Sequence, residues 1–112
     1  MSDALDQFHD DYGVALRRLA KAVAELERAE EARKSLFSEL VVEASKDGTA
    51  IGKAEHIARA SFDYRAASEA VAVARHEKED AAGNVEWLKT RWETWRSRAA
   101  NARADKMMEA GR

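Results

Sequence analysis

The chain has 112 residues and a formal net charge of −2, which is the length of one domain. It contains no Cys and no Pro, which excludes a disulfide framework, a thiolate metal site and a cysteine nucleophile within it. It contains 24 Ala, and 36% of its residues are charged. This composition favours an all-α fold. The acidic start and the lack of an apolar run of about 20 residues predict a cytoplasmic protein without membrane contact.

The first half of the chain carries an apolar heptad repeat that predicts a helix over about residues 3–46. Ala15, Ala22 and Ala29 recur at the d positions of this repeat. The large apolar residues at the a and d positions of the first helix are Leu5, Phe8, Tyr12, Leu19, Leu26, Leu36 and Leu40. Gly48 is a C-cap signal, so we expect a turn over residues 47–53.

A second heptad repeat predicts another long helix over about residues 54–110. Breaks are expected near Ser61, which has the chemistry of an N-cap, and near Gly83, since glycine disfavours a helix interior. The residues at its a and d positions that we assign to the core are Ile57, Val71, Val85, Leu88, Trp92 and Trp95, and most of the other d positions are Ala.

The two apolar stripes match when the chain is folded back about residue 50. Residues whose numbers sum to about 100 then face each other, so that Phe8 meets Trp92. The sequence therefore predicts a single domain over residues 1–112, a long antiparallel helical hairpin with an alanine-rich, coiled-coil-like seam. Because one hairpin buries one face of each helix, we expect this protein to form a homo-oligomer, with the large seam residues in the core or the oligomer interface.

The sequence contains no pattern that indicates catalysis. His76 and Asp80 lie one turn apart, as two metal ligands do, but no third ligand accompanies them, and a solvated charged face is the better interpretation. We therefore predict a protein without enzymatic activity, metal or cofactor.

The C-terminal quarter is basic and contains all three Trp. Cationic side chains neutralise phosphates, and exposed Trp rings stack on unpaired bases, so this segment indicates binding of single-stranded DNA. The candidate residues are Trp87, Lys89, Arg91, Arg96, Arg98, Arg103 and Lys106. In the alternative interpretation, Trp92 and Trp95 are core residues, and the basic side chains pair with the acidic start of the chain. The acids of that start are Asp3, Asp6, Asp10 and Asp11.

Residues 54–112 also show a resemblance to a known family. The run from Ala58 to Arg65, the run from Trp92 to Ser97, the run from Asn101 to Ala104 and the Met-containing end are similar to those of the UvsY-like recombination mediators of phages. The resemblance implies a helical, ring-forming oligomer that binds single-stranded DNA in the cytoplasm of a bacterial host. It implies as partners a RecA-like recombinase and a single-strand-binding protein. The residues that carry over are Trp92, Arg96, Arg98 and Arg103.

Two functions of different classes follow from the sequence. The first is a non-enzymatic, single-stranded-DNA-binding recombination mediator or accessory protein that acts as an oligomer. The alternative is a helical protein-binding module, such as an inhibitor of a host factor or an assembly scaffold, with no nucleic-acid ligand.

Overall fold

The computed structural model describes residues 2–111 and is all-α, as the sequence predicts. Helix α1 spans Ser2–Ser45, α2 spans Ile51–Ala60 and α3 spans Phe62–Ala110. α1 and α3 form the two long arms of a hairpin that measures 91 × 22 × 15 Å. Its radius of gyration is 25.2 Å, compared with about 13 Å for a compact domain of this length. The molecule is therefore a narrow rod.

The turn between the arms is shorter than expected. Gly48 has a φ of 84°, a backbone conformation that residues with a Cβ atom rarely adopt. This glycine ends the turn that follows α1. The hydroxyl of Thr49 donates a hydrogen bond to the Asp47 carboxylate, with the two oxygens 2.7 Å apart. This bond lowers the pKa of Asp47. Helix then resumes at Ile51, three residues before the predicted position.

The second arm is interrupted at Ser61, where the N-cap chemistry predicts a break. Ser61 is extended, with φ −69° and ψ 150°. Its hydroxyl oxygen accepts a hydrogen bond from the backbone N–H of Tyr64 at 3.1 Å and donates one to the carbonyl of Ala58 at 2.8 Å. The expected break near Gly83 is wrong, because α3 is continuous through that residue.

The core of the hairpin consists mainly of small side chains. The buried residues are Ala15, Ala22, Leu26, Ala54, Ala58, Val71, Ala81 and Val85. Most other predicted seam residues are half-buried, namely Phe8, Tyr12, Leu19, Leu36, Leu40, Leu88 and Trp92. Alanine at the seam lets the two helix backbones approach closely, as in the alanine-rich pairing that the sequence predicts.

Three of the predicted core residues are exposed within the chain. Ile57 is 45% exposed, because the break at Ser61 ends the heptad register and turns Ala54 and Ala58 inward instead. Leu5 is 38% and Trp95 is 45% exposed. Both lie at the open end of the hairpin, where each side chain lies near the other arm on one side and is open to solvent on the other.

Contacts between the arms fix the register. The rings of Phe8 and Trp92 stack with their centroids 4.4 Å apart, as predicted. Farther along, the Nε of Arg18 donates to the Glu77 carboxylate at 2.9 Å. The pairing of residues whose numbers sum to about 100 therefore holds along the arms.

This register leaves the end of α3 without a neighbour. The start of α1 is level with about residue 98 of α3, so residues 99–110 extend beyond it by about 18 Å at 1.5 Å per residue. Every residue from 100 to 111 is exposed. We call residues 99–110 the overhang.

Candidate nucleic-acid interface

One flank of α3 carries an aromatic and cationic strip. Trp87, Arg91, Trp95 and Arg98 recur at spacings of three or four residues, so a helix places them on one side. Together with Thr90 and Thr94 they line a shallow hollow. All six side chains are aromatic, cationic or hydroxyl-bearing. We call Trp87, Arg91, Trp95 and Arg98 the strip.

The strip is open to solvent. Trp87 is 55% exposed, as its outward heptad position predicts, and Trp95 is 45% exposed. The guanidinium carbon of Arg91 lies 4.8 Å from the centroid of the Trp87 ring, a cation–π contact that positions the arginine beside the indole. An indole with a cation at its face and a free second face combines base stacking with phosphate neutralisation.

The interpretation of Trp95 as a core residue is wrong, and Trp92 takes that place. Trp92 is half-buried between Phe8 and Trp95, whose ring centroids lie 4.4 Å and 5.0 Å from its own. The stack fixes the orientation of Trp95 while its outer surface stays exposed. Such a stack presents a rigid aromatic surface, which binds a planar ligand at low entropic cost.

The acids at the start of α1 do not neutralise the basic residues of α3. Within residues 2–111, Asp3, Asp6, Asp10 and Asp11 form no salt bridge. The Asp11 carboxylate accepts a hydrogen bond from the Gln7 amide at 2.8 Å instead. Asp11 and Arg91 border the same hollow beside the strip, which places an acidic side chain of α1 near that arginine.

The structure divides the predicted DNA-binding residues between two faces. Arg96, Arg103 and Lys106 line a separate groove along the overhang, together with Leu5 and Trp95. Lys89 is in neither hollow, and its ammonium lies 3.7 Å from the Glu86 carboxylate. The strip and the overhang groove meet at Trp95.

Sequence reasoning did not single out Thr90, Thr94 or Gln7 as parts of this region. The threonines share the spacing of the strip, which was the available signal in the sequence. Gln7 has no such signal, because its place beside the strip depends on how α1 lies against α3.

Residues 2–111 hold no group of three or more His, Cys, Asp or Glu side chains arranged to bind a metal ion. None of the helices described combines the length and the apolar character needed to cross a membrane.

Comparison of the chain with protein-family models, with curated proteins and with solved structures gives no match. The fold defines an all-α helical hairpin, and the candidate site is a solvent-exposed aromatic and cationic strip on one arm.

Proposed function

We propose that this chain is a non-enzymatic protein that binds single-stranded nucleic acid, in particular single-stranded DNA, along the strip of α3. The observation that carries the proposal is the exposure of two indole rings and two guanidinium groups on one flank of a rigid helix. Trp87 and Trp95 are eight residues apart, about 12 Å along the helix. Bases stack on the rings, and Arg91 and Arg98 neutralise phosphates between and beyond them.

The role of recombination mediator is a narrower proposal, and it rests on the resemblance of residues 54–112 to the UvsY-like family. In that role the protein acts in the cytoplasm of a bacterial host and delivers single-stranded DNA to a RecA-like recombinase in the presence of a single-strand-binding protein. The strip supplies the DNA contact that such a role requires.

Binding to a labelled oligo(dT), followed by fluorescence anisotropy at several salt concentrations, tests the strip. Trp87→Ala should weaken binding about tenfold, because stacking of one base on an aromatic ring contributes about 1–3 kcal/mol. Replacing both Arg91 and Arg98 by Gln should lower the slope of log affinity against log salt by about 1.4, since each phosphate neutralised on a single strand contributes about 0.7. Asp11→Asn should strengthen binding by removing a nearby negative charge.

A matched control removes the same charge elsewhere. Arg28 and Lys34 are exposed on α1 and have no salt bridge within the described chain, so replacing both by Gln should leave the salt slope nearly unchanged. Equal effects of the two double variants would show that binding is diffuse and that the strip is not the site. Absence of binding to the unmodified protein at low salt would overturn the proposal.

The protein-binding alternative is favoured by a different observation, at the other end of the rod. Val42, Ile51 and Phe62 are 62%, 68% and 82% exposed around the turn. Apolar side chains of this size in solvent are typical of surfaces that bind another protein. If oligo(dT) does not bind, these residues become the first candidates for substitution in a search for a protein ligand.

A further inference from the structure

The overhang is an unpartnered continuation of the hairpin seam. Ala99 and Ala102 follow Trp92 and Trp95 in the same heptad register, so the packing surface of α3 extends past the start of α1. Its groove is lined by basic residues, Arg96, Arg103 and Lys106, against a single acid, Glu93. A groove with small apolar side chains at its base and basic side chains along its edges fits a second helix that carries acidic side chains.

This chain has such a helix surface at the start of α1. Asp3, Asp6 and Asp10 recur at helical spacing on the side of α1 opposite the buried Ala15 and Ala22. All three are exposed and form no salt bridge within residues 2–111. They point away from the overhang of their own chain, because the seam lies between α1 and α3.

The two surfaces also match in length and spacing. The overhang has twelve residues, which equals about the first three turns of α1. Asp3 and Asp6 are three residues apart, as are Arg103 and Lys106, so both pairs span about 4.5 Å along their helices. If the two helices run parallel, acids and bases align at the same heights.

The narrow rod exposes more surface than a compact monomer of its mass, which leaves it enough area for an interface. The chain exposes 8572 Å², whereas a compact monomer of its mass exposes about 6,200 Å². The difference of about 2,400 Å² exceeds the roughly 800 Å² that each partner buries in a standard interface. Leu5, which is exposed, borders the groove and would be covered in the assembly.

We infer that two copies of this chain form a symmetric dimer through their open ends, in which the groove side of each overhang, which carries Arg103 and Lys106, packs on the acidic outer face of α1 of the other copy. Because each copy offers one basic and one acidic surface at the same end, the two contacts are equivalent and the assembly closes at two copies. This arrangement differs from the ring that the family resemblance implies.

Sedimentation velocity without nucleic acid tests this dimer with charge reversals. The unmodified chain should sediment at 25 kDa, twice its mass of 12.5 kDa. An acid-reversed variant replaces Asp3, Asp6 and Asp10 by Lys, and a base-reversed variant replaces Arg96, Arg103 and Lys106 by Glu. Each variant alone places like charges in both contacts and should sediment as a monomer.

An equal mixture of the two variants should return to 25 kDa, twice the mass of one chain. The basic groove of the acid-reversed variant meets the acidic α1 of the other variant, and the acidic groove of the base-reversed variant meets the basic α1. A control with Glu27, Glu31 and Glu39 replaced by Lys makes the same charge change elsewhere on α1 and should stay dimeric. Circular dichroism establishes that each variant is helical.

A monomeric unmodified chain, a dimer formed by either reversed variant alone, or a mixture of two helical variants that stays monomeric would each overturn the inference. None of these outcomes depends on DNA, and none of the substituted residues belongs to the strip. The failure of this inference is thus distinguishable from the failure of the proposed function.

Discussion

At the scale of single residues, the arms are joined by a small number of specific polar contacts on a weakly buried seam. Arg18 of α1 reaches across to Glu77 at 2.9 Å and to Asp80 at 3.6 Å. The hydrogen bond from Arg18 lowers the pKa of Glu77, and the same bond raises the pKa of Arg18. Folding of the hairpin therefore favours the ionised forms of both Arg18 and Glu77.

Glu77→Gln should lower the Tm near neutral pH, and the difference from the unmodified protein should close in acid. Since folding lowers the pKa of Glu77, the stabilisation is complete above 4.5, the ordinary value of a glutamate, and is lost as the pH falls through the lowered pKa. Thermal unfolding followed by circular dichroism over this range measures the difference. Glu79→Gln, an exposed neighbour outside the ion pair, should show no such convergence. A constant difference between Glu77→Gln and the unmodified protein in acid would contradict this mechanism.

At the scale of helices, the continuity of the second arm depends on a side-chain cap at Ser61 and on packing against α1 at Gly83. Ser61 breaks the second arm because its side chain caps α3. Gly83 does not break it, although glycine lacks helix propensity, because Ala81 and Val85 are buried against α1 on either side of it. Packing therefore holds an unfavourable residue in the helix.

Gly83→Ala should stabilise the protein by about 1 kcal/mol, because alanine lowers the conformational entropy of the unfolded chain and Gly83 is in a helix interior. A Cβ built at this position meets no atom within 4 Å. Denaturation in urea measures the change. The contrasting variant is Gly48→Ala, which should destabilise the protein, since Gly48 has a φ of 84°. A loss of stability in Gly83→Ala would show that the glycine has a role in the bend or packing of α3.

The pairing of the two arms could be predicted from the sequence because heptad spacing carries over along a continuous helix. Phe8 against Trp92 and the cap at Ser61 both follow from local patterns. The inward face of α2 could not be predicted, because the break at Ser61 resets the rotation of the helix and leaves Ile57 outside. Likewise, the sequence showed one basic segment, and only the position of the start of α1 separates it into the strip and the overhang groove.

At the scale of the whole molecule, both proposed sites lie at the open end of a rod closed by a single turn. The other end is held together by α2 and by Phe37, whose ring contacts Tyr64 and the guanidinium of Arg59. Sequence separation between paired residues grows steadily with distance from that turn. Phe8 and Trp92 are 84 residues apart, so their contact closes a long loop of the hairpin.

Because closing a longer loop costs more entropy, the arms should close from the turn outward and open from the free end inward. Native-state hydrogen exchange should show the lowest opening free energies at the overhang and at residues 3–10, and the highest ones near Ala22 and Val71. Uniform protection along both arms would contradict this order. If nucleic acid binds the strip as proposed, it contacts α3 and favours the closed end in which Trp92 and Trp95 are stacked, so it should slow exchange in the first turns of α1. In so narrow a hairpin, a ligand bound at the open end would thereby stabilise the part of the fold that opens most easily.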